Sequence, residues 1–245
     1  MYFKQFQHPE SGCLSYVVGC MSTRELAVVD PAAGVEPYLG LAEEKRSRIT
    51  HVIDTHIHAD HRSGAAALAG LTGAPLCLHQ RADVAFGFRP LADREVVQVG
   101  NAHVRVIHTP GHSPESVCLL VSDMSRSPEP AFLLTGDTLL VGDVGRPDLH
   151  VPAEEGARDL YRSLHERILT LEDHLEIFPA HFSGSVCGVG LSPRTSSTLG
   201  YERRVNPLLY QELRLETFVE ALAGRKVARP AGYEQNVAAN RGVAA

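Results

Sequence analysis

A metal-binding pattern stands at residues 55–61, Thr-His-Ile-His-Ala-Asp-His, directly after the apolar run HVID at 51–54. The pattern falls at a turn where a predicted strand gives way to a predicted helix. Alternate side chains of an extended segment point the same way, so His56 and His58 can share one metal ion. Asp60 and His61 follow the bend and are expected to face a neighbouring position. Imidazole and carboxylate together suit Zn(II), Fe(II) or Mn(II), and the absence of cysteine from this stretch argues against a closed structural zinc site.

Three later residues stand in the same kind of place, each just beyond an apolar run. His112 follows VRVIHTPG, Asp137 follows AFLLTG and His181 follows EIFPA. Functional residues of layered α/β proteins gather at the carboxyl ends of strands. We therefore expect these three side chains to join the first cluster.

The composition describes an ordinary globular chain of 245 residues, with 44% hydrophobic and 21% charged residues. Helical and strand patterns alternate throughout, which predicts a single α/β domain over residues 1–245, with a C-terminal segment of helices and irregular chain from about residue 195. The net charge of −6 argues against a nucleic-acid partner. No apolar run reaches the roughly 18 residues that a membrane-spanning helix needs. The N-terminus resembles neither a secretory signal nor a transit peptide, so we predict a cytoplasmic protein.

The motifs T-H-x-H-x-D-H, T-P-G-H, T-G-D-T-L and P-A-H, in this order, resemble those of the metallo-β-lactamase fold superfamily. The resemblance implies a four-layer αββα sandwich with the metal site at one edge, between the two sheets. It does not fix the reaction, because lactamases, thioester hydrolases, nucleases, flavoproteins and dioxygenases share this fold.

Asp137 and two longer segments restrict the reactions that this sequence predicts. Lactamases of this fold carry Cys or Ser where this chain has Asp137. The stretches GDTLLVGDVGRPDL at 136–149 and GSVCGVGLSPRTSSTLGYERRVNPLL at 184–209 resemble bacterial persulfide dioxygenases, including forms fused to a rhodanese domain. We expect no rhodanese domain within these 245 residues. We therefore expect sulfur to arrive on a free thiol carrier or from a separate sulfurtransferase.

The resemblance implies one Fe(II) per chain, held by His56, His112 and Asp137 as a two-His, one-carboxylate triad. The implied reaction oxidises a low-molecular-weight thiol persulfide, such as glutathione persulfide, with O2 to sulfite and thiol. Four more residues would orient ligands and substrate or hold a second metal: His58, Asp60, His61 and His181.

Two other functions remain open at this point. One is a hydroxyacylglutathione hydrolase of the glyoxalase II type, with two Zn, Fe or Mn ions bridged by Asp137. The other is a metal-binding protein without catalysis. Members of the family often pair, so a homodimer is a candidate state.

Two residues outside the metal motifs are also predicted to take part. Arg146 matches an arginine that contacts the thiol substrate in the relatives. Cys187 lies in the Gly/Ser-rich stretch 183–198, with no apolar strand to bury it. A thiol on a flexible loop near a metal is expected to have a lowered pKa, so we predict that Cys187 accepts or presents a persulfide at the mouth of the site; the alternative is packing under the glycine turn. The other four cysteines lie in or beside apolar strands and are expected to act as small hydrophobes: Cys13, Cys20, Cys77 and Cys118.

Overall fold

Two six-stranded sheets face each other in the computed structural model, which describes residues 1–209 and 213–244. The first sheet follows chain order: β1 (Tyr2–His8), β2 (Cys13–Cys20), β3 (Glu25–Val29), β4 (Arg48–Ile53), β5 (Leu76–His79) and β6 (Arg89–Leu91). The later strands are β7 (Val96–Val99), β8 (Ala102–His108), β9 (Val117–Asp123), β10 (Pro130–Gly136), β11 (Leu139–Leu140), β12 (Asp143–Val144), β13 (Glu176–Pro179) and β14 (Ser197–Thr198). The second sheet has the order β14-β13-β10-β9-β8-β7, and β11 pairs with β12 as a separate ribbon.

Helices cover both outer faces of this pair of sheets. They are α1 (Glu36–Glu44), α2 (Ala65–Thr72), α3 (Ala153–Arg162), α4 (Leu199–Val205), α5 (Leu215–Ala223) and α6 (Tyr233–Arg241). A π-helical turn, Ser163–Ile168, continues α3. The side chains of α1 and α2 share a core with the outward residues of the first sheet, and those of α3 and α5 share one with the second sheet. The predicted αββα sandwich is confirmed.

Alternate side chains of β9 pack into two different cores, one between the sheets and one under the helices. All seven residues of β9 are buried. Val117, Leu119 and Val121 belong to the core between the two sheets, whereas Cys118 and Leu120 belong to the core under the helices. Both faces of β9 are covered, and apolar residues accordingly occupy five successive positions, 117–121, rather than every second one.

The topology brings the metal-binding motifs to one edge. Strands β8 and β10 both run antiparallel to β9, and β13 runs parallel to β10, so these three strands end on the same side. The loop after β4 reaches this edge from the first sheet, where the Val117 amide donates to the Thr55 carbonyl oxygen at 2.9 Å. His56, His112, Asp137 and His181 therefore converge between the sheets.

The C-terminal segment returns to the first sheet. Helix α6 lies against the loop that contains residues 55–61 and contacts it through side-chain hydrogen bonds. The segment from about residue 195, for which helices and irregular chain are predicted, contains α4, α5 and α6; residues 210–212 lie outside the described part of the chain. In the described ranges, no helix is long and apolar enough to span a membrane.

Candidate metal centre

Three buried ligand atoms converge at the edge of the sandwich. His56 Nε2, His112 Nε2 and Asp137 Oδ2 are buried, and none of them has a hydrogen-bond partner within residues 1–209 and 213–244. Asp137 Oδ2 lies 3.8 Å from His56 Nε2 and 3.4 Å from His112 Nε2. Nitrogen and oxygen ligands about 2.1 Å from one ion lie roughly 3.0–3.5 Å apart, so the three atoms fit a shared cation. Buried polar atoms otherwise find partners, which makes a metal ion the natural occupant of this position.

Contacts at Nδ1 hold the rings of His56 and His112 so that Nε2 faces the position of the metal ion. His112 Nδ1 donates to the backbone carbonyl oxygen of Arg146 at 2.8 Å, and His56 Nδ1 lies 3.0 Å from Thr55 Oγ1. A hydrogen bond at Nδ1 leaves the lone pair on Nε2 for a metal. Burial, with a further contribution from His58, lowers the pKa of His56 well below its usual value, so the ring is neutral.

His58 is turned away from this triad. Its Nε2 lies 3.3 Å from Asp30 Oδ1 and 3.9 Å from Asp54 Oδ1. Burial lowers the pKa of His58, but the two carboxylates outweigh burial and raise it. Asp30 also accepts hydrogen bonds from the Thr55 amide and hydroxyl, at 2.7 and 2.9 Å. His58 and Asp30 thus hold the turn that carries the metal-binding pattern, and His58 Nε2 is directed to Asp30 rather than to the atoms of His56, His112 and Asp137 that converge.

A hydrogen-bonded chain joins the triad to a neighbouring cluster that contains Asp60, His61 and His181. His181 Nδ1 lies 2.6 Å from Asp137 Oδ1, and its Nε2 lies 2.9 Å from Asp60 Oδ2. Burial raises the pKa of Asp137, but His181 and His112 outweigh burial and hold that pKa well below its usual range. Burial likewise opposes charge on His181, yet Asp137 and its other negative neighbours raise its pKa well above the usual value. The protonated ring therefore bridges the two carboxylates.

Cys13 joins this cluster, which its sequence context did not indicate. Its Sγ lies 3.5 Å from Asp60 Oδ2 and 3.5 Å from His61 Nδ1. Burial raises the pKa of the thiol, but hydrogen bonds with His181 and His61 outweigh burial and bring it to about 6. The expectation that Cys13 acts only as a small hydrophobe is wrong, because its side chain faces polar groups rather than the core.

The loop of residues 55–61 is clamped by two further residues that the sequence reading missed. Asn240 of α6 donates to the carbonyl oxygens of His58 and His61, at 2.7 and 2.8 Å, and accepts from the Ser63 amide at 2.9 Å. Buried Glu115 accepts from the Ile57 amide at 2.8 Å. A motif search could have noticed Glu115 because it stands three positions after His112, whereas nothing near Asn240 in sequence points to the metal loop.

The guanidinium of Arg146 is occupied by protein acceptors. It makes a two-pronged pair with Asp148, at 2.7 and 2.8 Å, and donates to the carbonyl oxygens of Val186, Val227 and Ala228. These contacts use all five donors of the side chain. The predicted contact between Arg146 and a thiol substrate is not supported by this arrangement, in which Arg146 ties two C-terminal stretches to the site.

Cys187 lies close to the metal motifs, as predicted, but it is buried rather than exposed. The side chain is 1% exposed, and burial raises the pKa of its thiol to about 12, so the expected exposed thiol of lowered pKa is wrong. The Gly/Ser-rich stretch is not free, because Asp143 Oδ2 accepts from the amides of Val189 and Gly190, both at 2.9 Å. Cys187 Sγ nevertheless lies within 4.8 Å of ligand atoms of Asp137 and His181.

Known proteins resemble this chain in both sequence and structure. A family model described as the metallo-beta-lactamase superfamily matches residues 8–181. The human protein named mitochondrial persulfide dioxygenase ETHE1 is 30% identical over 240 residues, which are 97% of this chain and 86% of that protein. The crystal structure of ETHE1 from Myxococcus xanthus superposes with a TM-score of 0.85 at 30% identity, covering 98% of both chains. A crystal structure described as a metallo-beta-lactamase from Staphylococcus aureus subsp. aureus COL gives a TM-score of 0.90 at 34% identity, covering 98% of this chain and 72% of that one.

The chain therefore belongs to the metallo-β-lactamase superfamily. Within that superfamily it is related over nearly its whole length to the ETHE1 persulfide dioxygenases, as the motifs predicted. The ligand roles of individual residues, the cytoplasmic location and the pairing of chains stay predictions.

Proposed function

We propose that this protein is a mononuclear Fe(II) persulfide dioxygenase that oxidises a low-molecular-weight thiol persulfide, such as glutathione persulfide. One persulfide, one O2 and one water give one thiol and one sulfite, with the protons of sulfurous acid released to solvent. The kinship with ETHE1 persulfide dioxygenases supports the reaction class.

The convergence of three unpartnered ligand atoms carries the proposal. His56 Nε2, His112 Nε2 and Asp137 Oδ2 offer a two-His, one-carboxylate set, and His58 is directed to Asp30 instead. When bound to such a set, Fe(II) supplies open positions for a substrate sulfur and for dioxygen.

The surrounding residues orient this set. Arg146 contributes its carbonyl oxygen to His112 Nδ1 and thereby fixes the ring. His181 donates to Asp137 Oδ1, which selects Oδ2 as the oxygen that faces the histidines. Removal of either partner would leave a ligand free to rotate, and such outer partners typically change metal affinity or activity by about 10- to 100-fold.

The buried thiol of Cys187 stands close to this set and is a candidate sulfur carrier. Because burial favours the neutral thiol, a persulfide transferred to Cys187 requires local opening of the 183–198 stretch. Arg146 supports the same stretch through its bond to the Val186 carbonyl oxygen. We propose that Arg146 and Cys187 both hold the 183–198 stretch closed beside the triad, rather than acting as a free cation and an exposed thiol. A separate sulfurtransferase is the candidate donor of sulfur.

A hydroxyacylglutathione hydrolase is the second candidate. The cluster of Asp60, His61 and His181 beside the triad favours it, because it offers ligands for a second ion. That reaction needs a metal-bound hydroxide and a thioester but no dioxygen.

Parallel assays with matched substrates separate the candidates. Iron-loaded protein is given glutathione persulfide in an oxygen-electrode cell, and S-lactoylglutathione in a hydrolysis assay. The proposal predicts oxygen uptake that requires persulfide, equal moles of sulfite, and thioester hydrolysis near background. Rapid hydrolysis without oxygen uptake would establish the hydrolase, and turnover of neither substrate would favour a metal-binding protein without catalysis.

A further inference from the structure

Residues 224–232, here called the strap, cross the edge of the sandwich that carries the metal motifs. The strap links α5, which packs against the second sheet, to α6, which lies on the metal loop of the first sheet. Its Val227 and Ala228 carbonyl oxygens accept from the guanidinium of Arg146, at 2.9 and 2.7 Å. Because the carbonyl oxygen of Arg146 accepts from the ring of His112, only Arg146 separates the strap from this ligand of the triad.

Few apolar contacts hold the strap in place. Its backbone forms neither helix nor strand from 225 to 230, and Pro230 is the one buried residue of the described range 224–232. Gly232, which caps the start of α6, has a φ of +69°, a left-handed conformation that glycine adopts without strain. Segments with few buried apolar contacts open at a low free energy. The strap can therefore move while the helices on either side of it stay docked.

The site beneath the strap is closed to solvent. His56 Nε2, His112 Nε2 and Asp137 Oδ2 are all buried, and the side chain of Cys187 is buried beside them. A thiol persulfide cannot reach buried ligand atoms unless a covering segment moves. Lids that open to admit a substrate and then exclude water are common in enzymes. Entry of a substrate at this edge therefore requires such a motion.

Asp143 binds the strap and the 183–198 stretch through one carboxylate. This carboxylate is buried and accepts from the guanidinium of Arg225, a strap residue, at 2.8 and 3.1 Å. Its Oδ2 also accepts from the amides of Val189 and Gly190 in the 183–198 stretch, both at 2.9 Å. Hydrogen bonds between charged groups are stronger than neutral ones. Loss of the Arg225 cation would leave the carboxylate that holds this stretch without its ion pair.

Arg146 makes a second connection between the strap and the 183–198 stretch. Besides the strap carbonyl oxygens, its guanidinium contacts the Val186 carbonyl oxygen at 3.4 Å, and its amide donates to the Cys187 carbonyl oxygen at 3.2 Å. The two segments thus share both of their hydrogen-bonding partners. Opening of either segment removes bonds from the residues that hold the other, so the two are expected to open as one cooperative unit.

We propose that the strap is a lid over the triad, held closed by the Arg225–Asp143 ion pair, and that it opens together with the 183–198 stretch to admit the substrate. The open state exposes the triad and the thiol of Cys187 at the same time. The closed state keeps water away from both. The proposal does not depend on the reaction at the triad, because the opening is measured without turnover.

The rate of alkylation of Cys187 measures this opening. Iron-loaded protein is kept anaerobic and treated with iodoacetamide, and the alkylation of each cysteine is followed by mass spectrometry of its peptide. Cys118 is the internal reference, because it is buried in the core under the second sheet and reacts only when that core unfolds. In the wild-type protein we expect Cys187 to react at least about 10-fold faster than Cys118, although both are buried. Equal rates would overturn the proposal.

The variant Arg225→Gln tests the ion pair. It should speed the alkylation of Cys187 by about 10-fold, the effect of one hydrogen bond to a charged group, and leave the rate at Cys118 unchanged. Lys226→Gln is the matched control, because it removes the same charge from an exposed position next to Arg225, and it should change neither rate. An unchanged Cys187 rate in Arg225→Gln, an equal increase in Lys226→Gln, or a parallel increase at Cys118 would each contradict the proposal.

Release of iron to a chelator tests whether the strap and the 183–198 stretch open together. Arg225→Gln should release iron faster than the wild-type protein, because the triad is exposed with the thiol. Iron release at the wild-type rate, with faster alkylation of Cys187, would show that the 183–198 stretch opens without the strap and would overturn the proposal. Absence of persulfide oxidation in the wild type, with these alkylation rates as expected, would contradict only the proposed function.

Discussion

Substitution of Asn240 tests whether the C-terminal helix holds the metal loop in its binding conformation. The side chain makes two hydrogen bonds to the backbone of that loop, at 2.7 and 2.8 Å, and accepts a third from the Ser63 amide just beyond it, at 2.9 Å. At about 1 kcal/mol for each bond, Asn240→Ala should reduce the free energy of unfolding by roughly 3 kcal/mol. In the loaded protein the metal must then order the loop, so iron affinity should fall by up to about 100-fold.

The assays are chemical unfolding and anaerobic competition with an iron chelator. Arg241→Ala is the matched control, because Arg241 lies on the same helix and anchors it to Asp83 without contacting the metal loop. We expect this control to lower stability by less than about 1 kcal/mol, as exposed ion pairs do, and to leave iron affinity unchanged. Equal losses of iron affinity in the two variants would contradict this prediction, because docking of the helix rather than the Asn240 hydrogen bonds would then be responsible. An unchanged iron affinity in Asn240→Ala would refute it as well.

Three further predictions concern the triad, pH and Cys187. His112→Ala and Asp137→Ala should each remove iron, because two remaining ligands hold it weakly; full iron content by atomic absorption in either variant would show that the ligand set is wrong. Burial and His108 lower the pKa of His79 to about 4. As the pH decreases from about 6.5 to 4, the unfolded chain binds a proton at this histidine before the folded chain does. The free energy of unfolding should therefore fall over this range, by the order of 2 kcal/mol. The pH dependence of urea unfolding should be weaker in His79→Gln, and identical slopes would contradict this contribution. Cys187→Ser should slow persulfide oxidation with iron content unchanged, and mass spectrometry should find an added sulfur on the wild-type peptide; an unchanged rate without the adduct would leave Cys187 a packing residue.

The αββα fold could be predicted because the metal motifs resemble those of a known superfamily, and the strands before these motifs could be predicted because they are local apolar runs. Val117–Asp123 and Pro130–Gly136 are short apolar runs bounded by turn residues, and both became buried strands of the second sheet. Each metal motif follows such a run, so its place at the sheet edge could be deduced without knowing the tertiary packing.

The sequence was insufficient where a side chain depends on contacts distant along the chain. Cys13 stands at the start of an apolar strand, and only its bridge with His181 turns it towards the metal centre. Asn240 lies in a polar C-terminal stretch whose docking cannot be deduced from local pattern. The exposure of Cys187 was misjudged because a Gly/Ser-rich composition suggests exposure, whereas hydrogen bonds to Asp143 and Arg146 hold that stretch in place. The substrate contact expected of Arg146 came from the resemblance to relatives, and its bonds to the distant Val227 and Ala228 carbonyl oxygens could not be deduced from the sequence.

We propose that one iron ion in the triad supports persulfide oxidation. The most direct measurement uses apoprotein loaded with graded amounts of Fe(II), with oxygen uptake on glutathione persulfide recorded for each preparation. We expect a rate that is proportional to bound iron and reaches its maximum at one iron per chain, with as many moles of sulfite formed as of oxygen consumed. A rate that follows zinc instead, or that requires two irons per chain, would contradict it.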